Sequence, residues 1–200
     1  MSGAPRVADL TPRARTILEV ASELFYERGI HAVGVDTIAS ESGVTKRTLY
    51  DRFGSKDALV AAYLQHRHDI WWDHLQERLA GGPAPRALAV FDAYRDSPLG
   101  IHRGCAFING AGELPAEHPG FAVIAAHKRA IRGLLAELVR VDRPDLADPE
   151  GVAEHLFLIL EGALAHRGID HDDHRLALAR TLAEEILSAT GGHAPLSTQG

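Results

Sequence analysis

Hydrophobic residues recur at helical spacing along almost the whole chain, and no segment shows the sustained alternation of a β-strand. Ile17, Leu18, Ala21, Leu24 and Phe25, for example, fall on one face of a helix. Capping residues, glycines and prolines separate the periodic segments. The pattern therefore predicts an all-α protein of about nine helices. They are expected at approximately Thr11–Arg28, Asp36–Ser42, between Thr45 and Gly54, Lys56–Leu79, Pro85–Asp96, Cys105–Leu114, Pro119–Val141, Pro149–Arg167 and Asp172–Thr190.

The second and third of these helices are short and meet at Gly43. Thr45 is a good N-cap for the third helix, and Gly54 is expected to end it. Leu49 and Phe53 lie four residues apart, so both should face the core. The outer side then carries cationic and hydrogen-bonding groups, namely Lys46, Arg47, Thr48, Tyr50 and Arg52. This is how a helix-turn-helix presents its recognition helix to DNA.

The net charge of −6 is unexpected for a protein that binds nucleic acid. Its distribution along the chain resolves the difficulty. Residues 11–60 contain equal numbers of basic and acidic side chains, so the whole acidic excess of the chain from residue 11 onward lies in residues 61–200. Residues 45–56 contain four basic side chains and one acid, Asp51. The positive potential is thus confined to the third helix and the start of the fourth.

These residues carry a family resemblance. The segment from Ile17 to Leu64 resembles the DNA-binding part of TetR-family transcriptional repressors, and the pair Leu49-Tyr50 followed by Phe53-Gly54-Ser55-Lys56 is particularly characteristic. Over the rest of the chain the resemblance is architectural, although Gly104–Asn109 is similar to a stretch found in one subset of these repressors. The resemblance implies an all-helical homodimer that binds a double-stranded, pseudo-palindromic DNA operator.

The resemblance also implies roles for individual residues. Four residues at the start of the third helix should contact bases or phosphates, namely Thr45, Lys46, Arg47 and Thr48. Phosphates should also be contacted by the Tyr50 hydroxyl, by Lys56 at the start of the fourth helix and by Thr37 in the second helix. Asp51 departs from the family, in which His, Tyr or Asn is more usual. Asp51 either holds Arg47 four residues before it or accepts a hydrogen bond from cytosine N4.

The expected division is a DNA-binding domain at residues 1–55, a ligand-binding and dimerisation domain at residues 56–190, and a disordered tail at residues 191–200. The last two helices, at about 149–167 and 172–190, are apolar over more than a narrow stripe. One side of each can face its own domain and the other a second subunit. By resemblance, a small molecule enters the C-terminal domain, shifts the fourth helix and releases the operator.

The lining of a ligand cavity is the least specific prediction. Four aromatic residues are candidates for the cavity walls, namely Trp71, Phe91, Phe107 and Phe157. Three residues are candidates for its polar contacts, namely Asn109, His127 and Glu161. For any single one of these residues, ordinary core packing is the simpler interpretation. A pocket somewhere among these helices is expected by resemblance.

Two alternatives to a small organic effector stay open. Twelve histidines and the only cysteine, Cys105, allow a metal- or redox-responsive regulator of the same fold. Arg103 could stabilise the Cys105 thiolate. The candidate metal-ligand groups are His66, Asp69, Asp73 and His74, then His102 with Cys105, and His171, Asp172, Asp173 and His174. Since such residues are common on helical surfaces, no metal and no cofactor is predicted.

A small helical enzyme is the other class of function considered. The chain has no Gly-rich phosphate loop, nucleophile elbow or zinc-protease motif, so no catalytic residues are predicted. A single cysteine, the lack of a long apolar run and an N-terminus unlike a secretory signal indicate a cytoplasmic protein with no membrane partner.

Overall fold

The computed structural model describes residues 10–100 and 102–189. This part of the chain is all-α, with nine α-helices, as the hydrophobic periodicity predicts. In chain order they are α1 (Pro12–Arg28), α2 (Val35–Glu41), α3 (Lys46–Phe53), α4 (Lys56–Gly81), α5 (Leu88–Arg95), α6 (Ala106–Glu113), α7 (Pro119–Asp142), α8 (Pro149–Asp170) and α9 (His174–Ser188). The expected tail at residues 191–200 lies outside the described residues.

The first three helices pack against one another around a small apolar core. Leu49 of α3 is fully buried there, and Phe53 packs on the same core while half-buried. Gly43, in the turn before α3, has a φ of 65°. A residue with a Cβ rarely adopts that conformation, so the glycine permits the sharp change of direction between α2 and α3.

The fourth helix connects this unit to the rest of the molecule. Near its start, Leu59, Val60 and Tyr63 are buried, and the Tyr63 ring lies 5.6 Å from that of Phe25 in α1. Further along, α4 packs against α5 and α7. One buried core therefore runs from α1 through α4 into the body.

The body is built from α5 to α9. Helix α7 packs on α4, α6 and α8, while α9 packs on α8 and α5. Most of the buried side chains are aliphatic, and they form a single core with the residues of α4. None of the nine described helices combines the length and the apolar character needed to cross a bilayer.

Several helix boundaries in the body differ from the prediction, three of them by two or three residues at a place that changes the assignment of the neighbouring loop. Helix α5 begins at Leu88 rather than at Pro85, α8 continues to Asp170 rather than ending at Arg167, and α9 begins at His174 rather than at Asp172. Gly168 therefore lies inside α8 and does not end it. Its role is steric, since a Cβ there would lie 2.7 Å from the carbonyl oxygen of Arg103.

The predicted cap of α3 is present. The Thr45 hydroxyl accepts a hydrogen bond from the backbone N–H of Thr48 at 3.2 Å. We expect Thr45→Ala to lower the free energy of unfolding by about 1 kcal/mol, because this N–H loses its partner within the helix. Urea denaturation would measure the change. Thr45→Ser, which keeps a capping hydroxyl, is the control, and equal losses in the two variants would contradict a capping role.

Candidate functional site

The start of α3 carries an exposed cationic surface. Lys46 and Arg47 are exposed, and Tyr50, one turn later, keeps 43% of its surface accessible. Leu49 anchors the opposite face of the helix in the core. The buried anchor fixes the position of α3, while the first turn projects its polar side chains outward.

Both cations have acidic neighbours. Lys46 Nζ lies 2.6 Å from a carboxylate oxygen of Asp36 in α2, and Arg47 Nε lies 4.0 Å from a carboxylate oxygen of Asp51. All four side chains are at least half exposed. Surface pairs of this kind contribute little free energy, so both cations can exchange their partners for phosphates at small cost. The Arg47–Asp51 spacing is compatible with Asp51 orienting Arg47.

The hydroxyl groups predicted to contact DNA lie around this surface. Thr48 is half-buried, and its hydroxyl lies 3.0 Å from that of Thr45. Thr37, in the first turn of α2, is also half-buried. Thr37 follows Asp36, whose carboxylate contacts Lys46, so the first turns of α2 and α3 lie close together. A helix-turn-helix presents the start of its recognition helix to the duplex.

Lys56 has a structural contact that sequence reasoning missed. Its Nζ donates a hydrogen bond to the backbone carbonyl of Ile30 at 2.8 Å and lies 5.9 Å from the ring centroid of Phe25. The side chain therefore ties the start of α4 to the segment after α1. The contact joins residues 26 positions apart, and no local sequence pattern indicates it.

The DNA-binding unit meets the body at a buried junction. The Tyr26 hydroxyl donates to the carbonyl of Gly104 at 3.0 Å and accepts from the backbone N–H of Arg103 at 2.9 Å. Arg103 Nη1 in turn donates to the carbonyl of Tyr26 at 2.6 Å. Close by, the backbone N–H of His31 donates to the Glu113 carboxylate at 2.9 Å. These hydrogen bonds join α1 and the segment after it to α6 and to the segment before α6.

A small cavity lies beside this junction. Its volume is about 30 Å³, on the order of two water molecules. The lining includes both aromatic and cationic side chains. It consists of Arg67, Trp71, Tyr94, Ser97, Leu99, Gly104, Cys105, Ala106, Phe107, Leu164 and Arg167.

Two of the predicted ligand residues, Trp71 and Phe107, line this cavity, and His127 lies directly behind it. The His127 ring stacks on Phe107 with centroids 3.6 Å apart. Phe91 is buried in the core. Asn109 lines a second, smaller cavity and donates to the carbonyl of Arg103 at 2.8 Å.

The remaining two predicted ligand residues have partners on the helix surfaces. Phe157 is half-buried, and the Arg132 guanidinium lies 5.6 Å from its ring centroid. Glu161 forms an ion pair with Lys128 at 2.7 Å. Neither residue is among those that line the cavity in the described part of the chain.

His127 is one of three basic residues that are buried in the described part of the chain, together with Arg67 and Arg167. Only 1% of its surface is exposed. Its Nδ1 lies 2.9 Å from Nδ1 of His68, and its Nε2 lies 3.2 Å from the Tyr94 hydroxyl. Burial, then the positive charge of Lys128 and the neighbouring His68, hold the pKa of His127 well below its ordinary value. The ring is therefore neutral in the folded protein at neutral pH.

We expect the protein to lose stability as the pH falls below about 6.5, the pKa of a histidine in an unfolded chain. The unfolded chain then binds a proton on His127 that the folded protein does not, so the free energy of unfolding falls by up to about 1.4 kcal/mol per pH unit from this residue. Urea denaturation between about pH 7 and pH 5 would measure the slope. His127→Gln should flatten it, and parallel curves for the two proteins would contradict this assignment.

The candidate metal ligands do not converge in the described residues. Within residues 10–100 and 102–189, no three His, Cys, Asp or Glu side chains lie close enough together to hold a metal ion. His102 instead lies 2.9 Å from Glu27, and Asp172 accepts a hydrogen bond from the backbone of His174. The cation near the Cys105 sulfur is Lys128, at 3.8 Å, whereas Arg103 is engaged with Tyr26.

A buried α3 anchor, a glycine turn and an exposed cationic first turn define a helix-turn-helix DNA-binding protein. The family model for bacterial regulatory proteins of the tetR family matches residues 17–63. The solved structure of SCO4454, a TetR-family transcriptional regulator from Streptomyces coelicolor, is 30% identical with a TM-score of 0.78, over 88% of this chain and 94% of that one. The chain belongs to the TetR family of transcriptional regulators, which are DNA-binding proteins and not enzymes.

Two named relatives show how the similarity is distributed. The transcriptional activator FasR of Mycolicibacterium smegmatis is 47% identical over 57 residues, which is 28% of this chain but only 26% of that protein. The regulator TtgR of Pseudomonas putida is 27% identical over 163 residues, covering 74% of this chain and 76% of its own length. Identity is thus higher in the short match than over the longer alignment.

Proposed function

We propose that this regulator is a cytoplasmic, dimeric repressor that binds a pseudo-palindromic operator and leaves it when a small molecule enters the body. The observation that carries the proposal is the exposed first turn of α3, with Lys46 and Arg47 projecting from a helix that buried Leu49 holds in place. Base edges would be contacted from this turn, while Tyr50 and Thr37 would contact phosphates beside it.

Lys56 is proposed to contact a phosphate and a backbone carbonyl at the same time. Its ammonium is already bound to the Ile30 carbonyl, but two of its three N–H donors remain for a phosphate. A single lysine would then join the phosphate, the start of α4 and the end of the α1 segment. Binding at this point would favour one position of α4 relative to the DNA-binding unit.

The proposed domain division follows the same helices. Residues up to 55 form the DNA-binding unit, and residues 56–190 form the ligand-binding and dimerisation unit. The start of α4 packs under α1, so it belongs structurally to both units. That shared segment is the proposed route by which ligand binding reaches the operator.

The dimer interface is proposed on α8 and α9. Four large apolar side chains on these helices are 39% to 67% exposed, namely Leu158, Ile169, Leu178 and Leu182. On α8, Gly162 lies between the first two, and a Cβ placed on it would meet nothing within 4 Å. An open apolar face on two adjacent helices is suited to packing against the same face of a second copy, as a two-fold axis requires.

The proposed release mechanism acts through the Tyr26 junction. The cavity shares Gly104 with this junction, and Gly104 in turn lies against α8, since a Cβ on it would be 2.8 Å from the backbone nitrogen of Gly168. A ligand that opens the cavity must displace residues 103–105 and so disturb the hydrogen bonds to Tyr26. Such a ligand favours the conformation that does not fit the operator.

A gel-shift assay with the DNA upstream of the coding sequence tests the proposal. Binding should weaken steeply as salt rises, because phosphate contacts release counterions. A reporter gene behind the same DNA tests the sign of regulation, which matters because FasR is named an activator. Lower expression with the regulator present supports repression, and higher expression contradicts it.

A redox-responsive regulator is the second candidate, favoured by the Lys128 ammonium 3.8 Å from the Cys105 sulfur. The thiolate is the form of a cysteine that reacts with oxidants. Operator binding that is lost on peroxide treatment and retained in Cys105→Ser would support this function. Equal responses in the two proteins would remove it.

A further inference from the structure

Arg67 is a buried cation without a carboxylate partner in residues 10–100 and 102–189. Only 8% of its surface is exposed. Its Nη2 donates to the carbonyl of Gly100 at 2.9 Å, and its guanidinium lies over the Tyr26 ring at 4.3 Å from the centroid. A carbonyl and an aromatic face offset only part of the cost of removing a full charge from water.

Trp71, one helical turn along α4 from Arg67, has an unsatisfied hydrogen-bond donor. Its indole Nε1 is buried and has no hydrogen-bond partner within the described part of the chain. Buried donors of this kind are uncommon, because each one costs free energy when it leaves water without an acceptor. Both side chains line the same cavity.

The rest of the lining contains no acid that could satisfy these donors. Arg167 also lines the cavity, but its Nε pairs with Asp173 at 2.6 Å and its Nη1 donates to the carbonyl of Tyr94 at 2.7 Å. The remaining walls are largely apolar, with Phe107 and Leu164 among them. The cavity therefore offers one uncompensated positive charge and one free N–H within an apolar surface.

From these observations we infer that the cavity binds an organic carboxylate, with its anionic group on Arg67 and Trp71 and its apolar body against Phe107 and Leu164. The inference rests on the proposed function, since it names the chemical class of the effector. An anion with a hydrogen-bond acceptor supplies Arg67 with a counter-charge and the Trp71 N–H with a partner. A cation would be repelled, and a neutral hydrocarbon would supply neither.

Arg67 also explains how such a ligand could reach the DNA-binding unit. Its guanidinium contacts Tyr26, the residue of α1 that is hydrogen-bonded to residues 103 and 104. A carboxylate that draws Arg67 toward the cavity weakens its contacts with the Tyr26 ring and with the Gly100 carbonyl. The bare cavity accepts the head group, and a larger body requires the apolar walls to move apart.

Calorimetric titration and thermal denaturation of the full chain test the inference with benzoate and propionate as probes. Benzamide and propionamide are the uncharged matches, and sodium sulfate is the inorganic anion. We expect stabilisation by the carboxylates that grows with the logarithm of their concentration. We expect benzamide and propionamide to bind at least about 10-fold more weakly, because a hydrogen bond to a charged group is worth more than a neutral one. Sulfate should also bind at least about 10-fold more weakly, because it has no apolar body to pack against Phe107 and Leu164.

Two substitutions locate the site. Arg67→Met removes the charge at similar length, and Trp71→Phe removes only the N–H and the second ring; each should weaken carboxylate binding by about 10-fold or more. If Arg67→Met does not fold, Arg67→Lys and Trp71→Phe carry the test, with Arg67→Lys retaining more affinity than Trp71→Phe. Arg140→Met removes the same charge from an exposed position on α7, outside the cavity lining, and should leave binding unchanged.

The inference is overturned if neither carboxylate binds, if benzamide or sulfate binds as tightly, or if the Arg67 and Trp71 variants keep wild-type affinity. Gel shifts on the same preparations separate this failure from failure of the proposed function. Operator binding without carboxylate binding rejects only the effector class. Arg67-dependent carboxylate binding by a protein that binds no operator rejects the proposed function.

Discussion

Replacing Lys46 and Arg47 together by alanine is expected to weaken operator binding by about 1,000-fold. A dimer loses four contacts with bases or phosphates, and each is worth about 1 kcal/mol or more. The fold should be unaffected, because both side chains are exposed and their ion pairs with Asp36 and Asp51 lie on the surface. Gel shifts over a range of salt concentrations measure both the affinity and its salt dependence.

The salt dependence of operator binding shows how many of the lost contacts were made to phosphates. Every phosphate contact that is lost should reduce the slope of log affinity against log salt by about 0.9. The double variant Arg129→Ala plus Arg140→Ala is the matched control, since it removes the same charge from α7. If this control and the α3 variant weakened binding equally, net charge and not the surface of α3 would account for the effect.

The substitution Leu178→Glu, alone or with Leu158→Glu, is expected to separate the dimer into monomers. Each change places two charges at a self-complementary interface, one from each copy, where they are desolvated without partners. Sedimentation or light scattering measures the mass. A monomer contacts only one half-site, so operator affinity should fall together with the mass of the protein.

The matched control for this change is Val141→Glu. Val141 is 64% exposed, comparable to Leu158 at 59%, but it lies at the end of α7 and not on the two helices proposed to form the interface. This variant should stay dimeric and bind the operator normally. A dimeric Leu178→Glu plus Leu158→Glu variant would show that the subunits pair through a different face.

Local sequence signals predicted most of the fold. Thr45 caps α3 as the sequence predicts, because a cap depends only on residues three positions apart. Thr11 and Ser55 cap α1 and α4 in the same way. Leu49 is buried for a similarly local reason, as it shares a helix face with Phe53. The helix-turn-helix could therefore be recognised before any tertiary contact was known.

The contacts between helices distant in sequence could not be predicted in this way. The hydrogen bond from Lys56 to Ile30 and the close approach of Gly104 to Gly168 depend on how α1, α4 and α8 cross. Helix α8 continues through Gly168, whose small size permits the close approach of Arg103. Arg67 was overlooked because a charged residue is expected on a helix surface, whereas tertiary packing buries it.

Protection of guanine N7 from dimethyl sulfate tests the central claim most directly, because N7 lies in the major groove of the operator. If the first turn of α3 enters that groove in a dimer, the bound protein should protect guanines in two half-sites. Their centres should lie about one helical turn apart, roughly 34 Å, or a multiple of it. Tight, sequence-specific binding that leaves every N7 reactive, or that protects a single site only, would contradict the account.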